Sequence, residues 1–189
     1  MTRALSVGFS VVLLLLSVFA YGQQVPQKEP ATKLEEFLAK KGKLIVKDSH
    51  EAGVLHGQYG TKITIGALTI YEPGKEEDKI RGLRIEVYEG GRLERSDTSF
   101  LDMDEVESLS QAISYMITLL DRWQGSAREY TEVIFSTKGD FILGFYQKGT
   151  QVQAFSKSGL IGAASCYFPP GDLSKLRAIV DKGSSLLAQ

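Results

Sequence analysis

The chain has 189 residues, of which 22 are Lys or Arg and 23 are Asp or Glu, so its formal charge is −1. This balance disfavours polyanionic partners, because nucleic-acid binding normally shows a basic footprint that meets the phosphates. Cys166 is the only cysteine, which excludes a disulfide within the chain. We expect the thiol to be buried and the fold to depend on packing alone.

Residues 1–22 have the pattern of a cleavable secretory signal peptide. Arg3 gives a positive start, an apolar stretch runs from Val7 to Ala20, and Gly22 precedes the predicted cleavage point. The stretch is too short and interrupted for the roughly 20 apolar residues that cross a bilayer, so an uncleaved anchor is the weaker alternative. The pattern predicts a secreted or periplasmic protein with no membrane span after cleavage. Cleavage would leave 21 cations, 23 acids and a charge of −2.

The mature chain begins with a polar segment and a short helix. Residues 23–30 contain two prolines and little apolar pattern, which predicts a disordered leader. Residues 31–189 are long enough for a single globular domain. Thr32 and Glu35 have the spacing of a capping box, which predicts a helix of about ten residues that ends at Gly42.

The remaining sequence alternates between strand patterns and helix patterns. Period-two alternation over 44–100 predicts three or four antiparallel strands, and a long amphipathic helix is expected to begin after an Asp102 cap. A second strand region covers 130–168, with hairpins near 138–139 and 148–149, and a last helix starts near Asp172. The sequence therefore predicts an α+β fold, an antiparallel sheet with two long helices packed on it.

This order suggests a tandem duplication with pseudo-repeats at about 60–125 and 128–189. Apolar residues of 83–91 match those of 141–149 at an offset of 58, and the two long helices match at an offset of 67. The nine-residue difference predicts one extra strand, residues 163–168, in the second half.

His50 and His56, the only histidines, lie near Asp48 and Glu51, and these residue types could form a metal site. In a continuous strand they would share a face but stand about 20 Å apart at about 3.3 Å per residue. Only a bend at 52–53 would bring them together. The sequence predicts no metal site here.

Neither Cys166 nor the acidic cluster forms a recognisable catalytic motif. Cys166 alternates with Ala164 and Phe168 as a small buried residue does, and no motif supplies it with a base. The densest acidic cluster would suit calcium or acid–base chemistry. Acids in a first helical turn are also favoured by its free amides, which is the interpretation we prefer. The cluster consists of Asp102, Asp104, Glu105 and Glu107.

Aromatic residues are dense in the second strand region. Alternating aromatics more often fill a core than hold a ligand, but Tyr146 faces opposite to Phe145. We therefore predict a candidate ligand face marked by Tyr88 and Tyr146. No phosphate-binding glycine loop occurs, and no catalytic, cofactor-binding or metal-ligating residue is predicted. The aromatic residues of this strand region include Tyr130, Phe135, Phe141, Phe145, Tyr146 and Phe155.

Two resemblances bear on the whole chain. The segments 34–47, 80–87, 99–105 and 137–141 resemble an uncharacterised group of small exported bacterial proteins, which has no established activity to transfer. The order of two sheet-then-helix units is similar to the Whirly type of single-stranded DNA-binding fold. Such proteins use a basic, aromatic sheet, and this chain lacks the excess of positive charge.

The sequence thus favours an exported, noncatalytic binding or envelope-associated module with an unknown ligand or envelope partner. The alternative is a secreted hydrolase that uses the Asp102–Glu105 or His50 region. Nucleic acid is not an expected partner. An open aromatic sheet face would favour binding, and carboxylates or histidines converging in a cleft would favour hydrolysis.

Overall fold

The computed structural model describes residues 30–91 and 94–189. The predicted signal peptide, residues 1–22, lies outside the described residues, and so do residues 23–29 of the predicted leader. Pro30 is exposed and belongs to no helix or strand. Among the described helices, none has the length and apolar character needed to cross a membrane.

The described chain forms two four-stranded antiparallel sheets, each followed by a long helix. The first part consists of α1 (Lys33–Leu38), β1 (Val46–His56), β2 (Lys62–Tyr71), β3 (Ile80–Glu89), β4 (Arg95–Asp102) and α2 (Met103–Trp123). The second consists of β5 (Arg128–Ser136), β6 (Phe141–Gly149), β7 (Gln151–Ser158), β8 (Ala164–Phe168) and α3 (Leu173–Leu187). Strands follow chain order within each sheet. The predicted α+β fold, with antiparallel sheet, two long helices and a short N-terminal helix, is confirmed.

The strand count revises the expected relation between the halves. The 58-residue offset pairs β3 with β6, the third strand of one sheet with the second strand of the other. The strand expected at 163–168 is present as β8, but it is not an extra strand of the second half, because each sheet has four strands. The false match arose because inward-facing strands share a period of two whatever their place in a sheet. The 67-residue offset does pair α2 with α3, and duplication itself stays a prediction.

One hydrophobic core is shared by the two sheets and the two long helices. From the first sheet it includes Ile65 and Ile85, and from the second it includes Phe145, all at most 1% exposed. α3 contacts β1 and β2 of the first sheet as well as α2. The buried hydroxyl groups of Ser99 on β4 and Ser158 on β7 are 2.7 Å apart and hydrogen-bonded. The sheets are therefore joined by polar as well as apolar contacts.

α1 covers one end of the opposite face of the first sheet. Its Leu34 and Phe37 pack with Leu68 and Ile70 of β2 in a second apolar cluster. The predicted capping box is confirmed, because Thr32 Oγ1 accepts a hydrogen bond from the Glu35 amide and the Glu35 carboxylate accepts one from the amide of Thr32. The helix ends at Leu38, earlier than expected. Residues 39–44 are exposed, so a further turn would bury no apolar surface.

Candidate functional site

A row of aromatic rings crosses the outer face of the second sheet, which is the face turned away from the shared core. Successive ring centroids lie 6.1, 6.3 and 6.4 Å apart. The row takes one residue from each strand in order, so it is continuous across the sheet. We call it the aromatic row; it consists of Tyr130, Tyr146, Phe155 and Tyr167.

The alternation of side chains along the strands places this row opposite the core. Phe145 is fully buried on the inner face, so its neighbour Tyr146 points outward. Phe155 also points outward but is only 3% exposed, because it lies across Gly144 of the neighbouring strand. A Cβ at that glycine would stand 3.1 Å from Phe155 Cζ. Phe155 therefore forms the floor of the row, and the three tyrosines form its accessible part.

The outer face is open in the described part of the chain. The long helices contribute to the core on the other side, and Tyr130 and Ile134 remain 57% exposed. A shallow hollow of about 150 Å³ follows the aromatic row. A second hollow of about 460 Å³ starts at Tyr146 and is lined by Lys148 and Gln153. The row thus lies beside space that a ligand can enter.

Charges of both signs border the row. Lys157 places its Nζ 5.3 Å from the centre of the Phe155 ring, and Glu132 lines the same hollow. Partial burial raises the pKa of Tyr130, and the Glu132 carboxylate raises it further. The phenol therefore stays protonated at neutral pH and keeps a hydrogen to donate.

The structure divides the six aromatic residues that the sequence treats as one set. Three turn inward to the core and three turn outward. The inward residues are Phe135, Phe141 and Phe145, and the outward residues are Tyr130, Tyr146 and Phe155.

Tyr88, the other residue predicted to mark the ligand face, lies on the first sheet. Lys62 places its Nζ 5.3 Å from the Tyr88 ring centre, and Glu94 is the main cause of a raised Tyr88 pKa. The surrounding outer face is polar, with Glu86 bonded to Arg84 at 2.6 Å. The structure thus does not bring Tyr88 and Tyr146 together in one aromatic contact, and their role as ligand residues stays a prediction.

The two histidines lie on opposite faces of β1. His50 pairs with Ala67, which faces the core side, whereas His56 pairs with Lys62 on the outer side. The expectation that they share a face is wrong, because a bulge between Glu51 and Gly53 shifts the alternation by one residue. Both histidines are exposed. Among the described residues, no group of three or more His, Cys, Asp or Glu side chains is placed to hold a metal ion.

Asp102 precedes α2 but makes no side-chain capping bond to it, contrary to expectation. Its carboxylate instead accepts hydrogen bonds from the amides of Lys33 at 2.9 Å and Leu34 at 3.3 Å, in the first turn of α1. The sequence did not predict this contact, because Asp102 is 69 and 68 positions from its two partners. Asp102 therefore anchors α1 to the end of β4.

Two other acids of this cluster, Asp104 and Glu105, contact the β5–β6 turn, whereas Glu107 accepts a hydrogen bond from Gln111 within α2. Glu105 Oε1 accepts from the Lys138 amide at 2.8 Å, and Asp104 binds the Lys138 ammonium at 2.8 Å. The Lys138 ammonium also lowers the pKa of Asp104. These contacts connect α2 to the second sheet. They give the cluster structural roles, and the hydrolase alternative stays a prediction.

Cys166 is fully buried on the inner face of β8, as expected. Burial raises its pKa, although Thr61 Oγ1, which donates to its Sγ at 3.3 Å, acts in the opposite direction. A Cβ at Gly57 would stand 2.5 Å from the same sulfur. The group is therefore a packed, protonated thiol at neutral pH.

We predict that Cys166 does not react with a thiol reagent in the native protein. The sulfur is inaccessible and the nucleophilic thiolate is scarce. Labelling with dithionitrobenzoate should be slow in buffer and should reach one thiol per chain in denaturing guanidinium chloride. Native labelling as fast as that of glutathione would contradict the burial described above.

Comparison with known proteins gives no further guide to the site. No protein-family model, no curated protein and no solved structure significantly matches this chain.

Proposed function

We propose that the protein is an exported, noncatalytic binding module whose ligand lies across the outer face of β5–β8. The observation that carries this proposal is the aromatic row, which is continuous over four strands and borders open hollows. The signal-peptide pattern of residues 1–22 supports export.

Tyrosine is suited to this role. Its ring offers rigid apolar contact area at a low cost in conformational entropy, and its hydroxyl still forms hydrogen bonds. Tyr130, Tyr146 and Tyr167 present such rings along one line, with Phe155 beneath them. A contiguous exposed aromatic surface is typical of an interaction site rather than of a packed face.

The charges around the row favour an uncharged ligand. Glu132 and Lys157, one charge of each sign, line the hollow along the row, and Lys148 adds one cation at the second hollow. Sheets that bind single-stranded nucleic acid instead have a basic groove. The matching chemistry is a neutral glycan. The apolar faces of its sugar rings would stack on the tyrosines, and its hydroxyls would bond to Glu132, Gln153 and Lys157.

Binding of soluble neutral oligosaccharides, measured by isothermal titration calorimetry, tests this proposal. We expect Tyr146→Ala to weaken binding about tenfold, and Tyr130→Ala to act in the same direction, because each removes a stacking surface. Tyr115→Ala is the matched control, since Tyr115 is 59% exposed on α2 and outside the row.

Three results would count against the proposal. If the two row variants bind as wild type does, the row is not the ligand face. If Tyr115→Ala loses as much affinity, the effect is not local. If a single-stranded oligonucleotide binds and the glycans do not, the ligand chemistry is wrong.

A further inference from the structure

A cavity distinct from the two hollows along the aromatic row lies on the other side of the second sheet. It has a volume of about 410 Å³ and lies between the C-terminal end of α2, the β6–β7 hairpin and the segment before α3. This is within the usual range of small-molecule sites. Its apolar wall is formed by Ile117, Leu120, Trp123, Val152 and Pro170.

The wall includes a buried acceptor that lacks a donor. Gln147 is 1% exposed, and its Nε2 donates to the carbonyl of Ser126 at 2.7 Å and to that of Gly149 at 3.0 Å. These bonds set the orientation of the amide group. Its Oε1 is buried and has no hydrogen-bond partner among the described residues. Unpaired buried acceptors are rare, and Gln147 is one of the residues that line the cavity.

The charged side chain in the cavity wall, that of Asp121, is also a hydrogen-bond acceptor. Asp121 lines the cavity on the exposed side of α2, and no ion pair or side-chain hydrogen bond joins it to another described residue. The guanidinium of Arg128 lies 3.8 Å from the centre of the Trp123 ring but does not line the cavity. The polar part of the wall therefore includes a carboxylate that can accept a hydrogen bond from an incoming cation or hydroxyl, beside the hydroxyl-bearing residues Ser126, Thr150 and Ser174.

We propose that this cavity binds a small molecule with an apolar body and a hydrogen-bond-donating head, and that it prefers an ammonium head to a hydroxyl. The apolar body packs against Trp123 and Leu120. The head group approaches Asp121 and Gln147. The site is independent of the aromatic row, because Gln147 and Tyr146 point to opposite faces of β6.

Trp123 is the only tryptophan in the chain, so its fluorescence reports on this cavity. Three probes that share a benzyl group should be titrated: phenethylamine, phenethyl alcohol and phenylacetate. We expect a saturable change with the amine, about fivefold tighter binding of the amine than of the alcohol, and the weakest binding for the carboxylate.

Variants then separate the two acceptors. Asp121→Asn should bring the amine and the alcohol within about twofold of each other, whereas Asp104→Asn, an exposed acid outside the cavity, should preserve the preference. Gln147→Leu should weaken both probes and preserve their ratio. If Gln147→Leu fails to fold, Asp121→Asn by itself tests the proposal. Asp121 is exposed, so this substitution should not disturb the fold.

The proposal is overturned if the amine gives no saturable change, if phenylacetate binds as tightly, or if Asp121→Asn keeps the amine preference. Tyr146→Ala should leave amine binding unchanged. That control distinguishes failure of this cavity from failure of the aromatic row as a glycan surface.

Discussion

Phe145→Ala is expected to lower the free energy of unfolding by about 3–5 kcal/mol, the usual cost of removing a buried phenylalanine ring. Phe145 is 0% exposed, and its ring meets the edge of Trp123 at a centroid distance of 5.6 Å. Its strand pairs with β5 and β7, so the surrounding sheet has little freedom to collapse into the space. The variant loses the transfer free energy of the ring, and it also loses the contacts between the ring and the residues that surround the space left behind.

The measurement is urea unfolding followed by circular dichroism. Ile134→Ala is the matched control, since Ile134 lies in the same sheet but is 57% exposed on the outer face; we expect a change within about 0.5 kcal/mol. Phe145→Ala should also reduce the melting temperature by roughly 6–20 °C. A loss below about 1 kcal/mol would show that Phe145 does not belong to the shared core.

Asp102→Ala is expected to cost about 2–3 kcal/mol, because hydrogen bonds to a charged acceptor are strong and two amides lose their partner. The carboxylate is 5% exposed and holds the first turn of α1, at Lys33 and Leu34. We expect α1 to detach from the first sheet before global unfolding. Amide hydrogen exchange should show this as lost protection at Leu34.

Two substitutions control for charge and position. Asp102→Asn keeps one acceptor oxygen and should lose less stability than Asp102→Ala. Asp104→Ala removes an exposed acid two positions away and its ion pair with Lys138, so the urea midpoint should not move measurably. Equal effects of Asp102→Ala and Asp104→Ala would contradict the anchoring role of Asp102.

The sequence predicted those features that depend on local periodicity. Alternation separates Phe145 from Tyr146 in the sequence alone, and it also separates Tyr167 from Cys166 and Phe168. The continuity of the aromatic row was not predictable, because it depends on the register of four strands.

Contacts between residues that lie far apart in the sequence could not be predicted either. The bond from Asp102 to the amide of Leu34 spans 68 positions, and local helix rules assigned that carboxylate to the helix that follows it. The bulge in β1 likewise has no local signature apart from Gly53, and it alone moves His50 and His56 to opposite faces. The cavity beside Gln147 depends on α2, the second sheet and the segment before α3 meeting in space.

The most direct test of the proposed ligand face is an amide chemical-shift map of the ¹⁵N-labelled protein during titration with a neutral oligosaccharide. We expect the largest saturable shifts at the row positions Tyr130, Tyr146 and Tyr167, with Tyr88 and Tyr115 unchanged. Shifts that concentrate on the first sheet or around Trp123, or no saturable shift with any neutral glycan, would contradict the assignment of the outer face of β5–β8 as a glycan-binding surface.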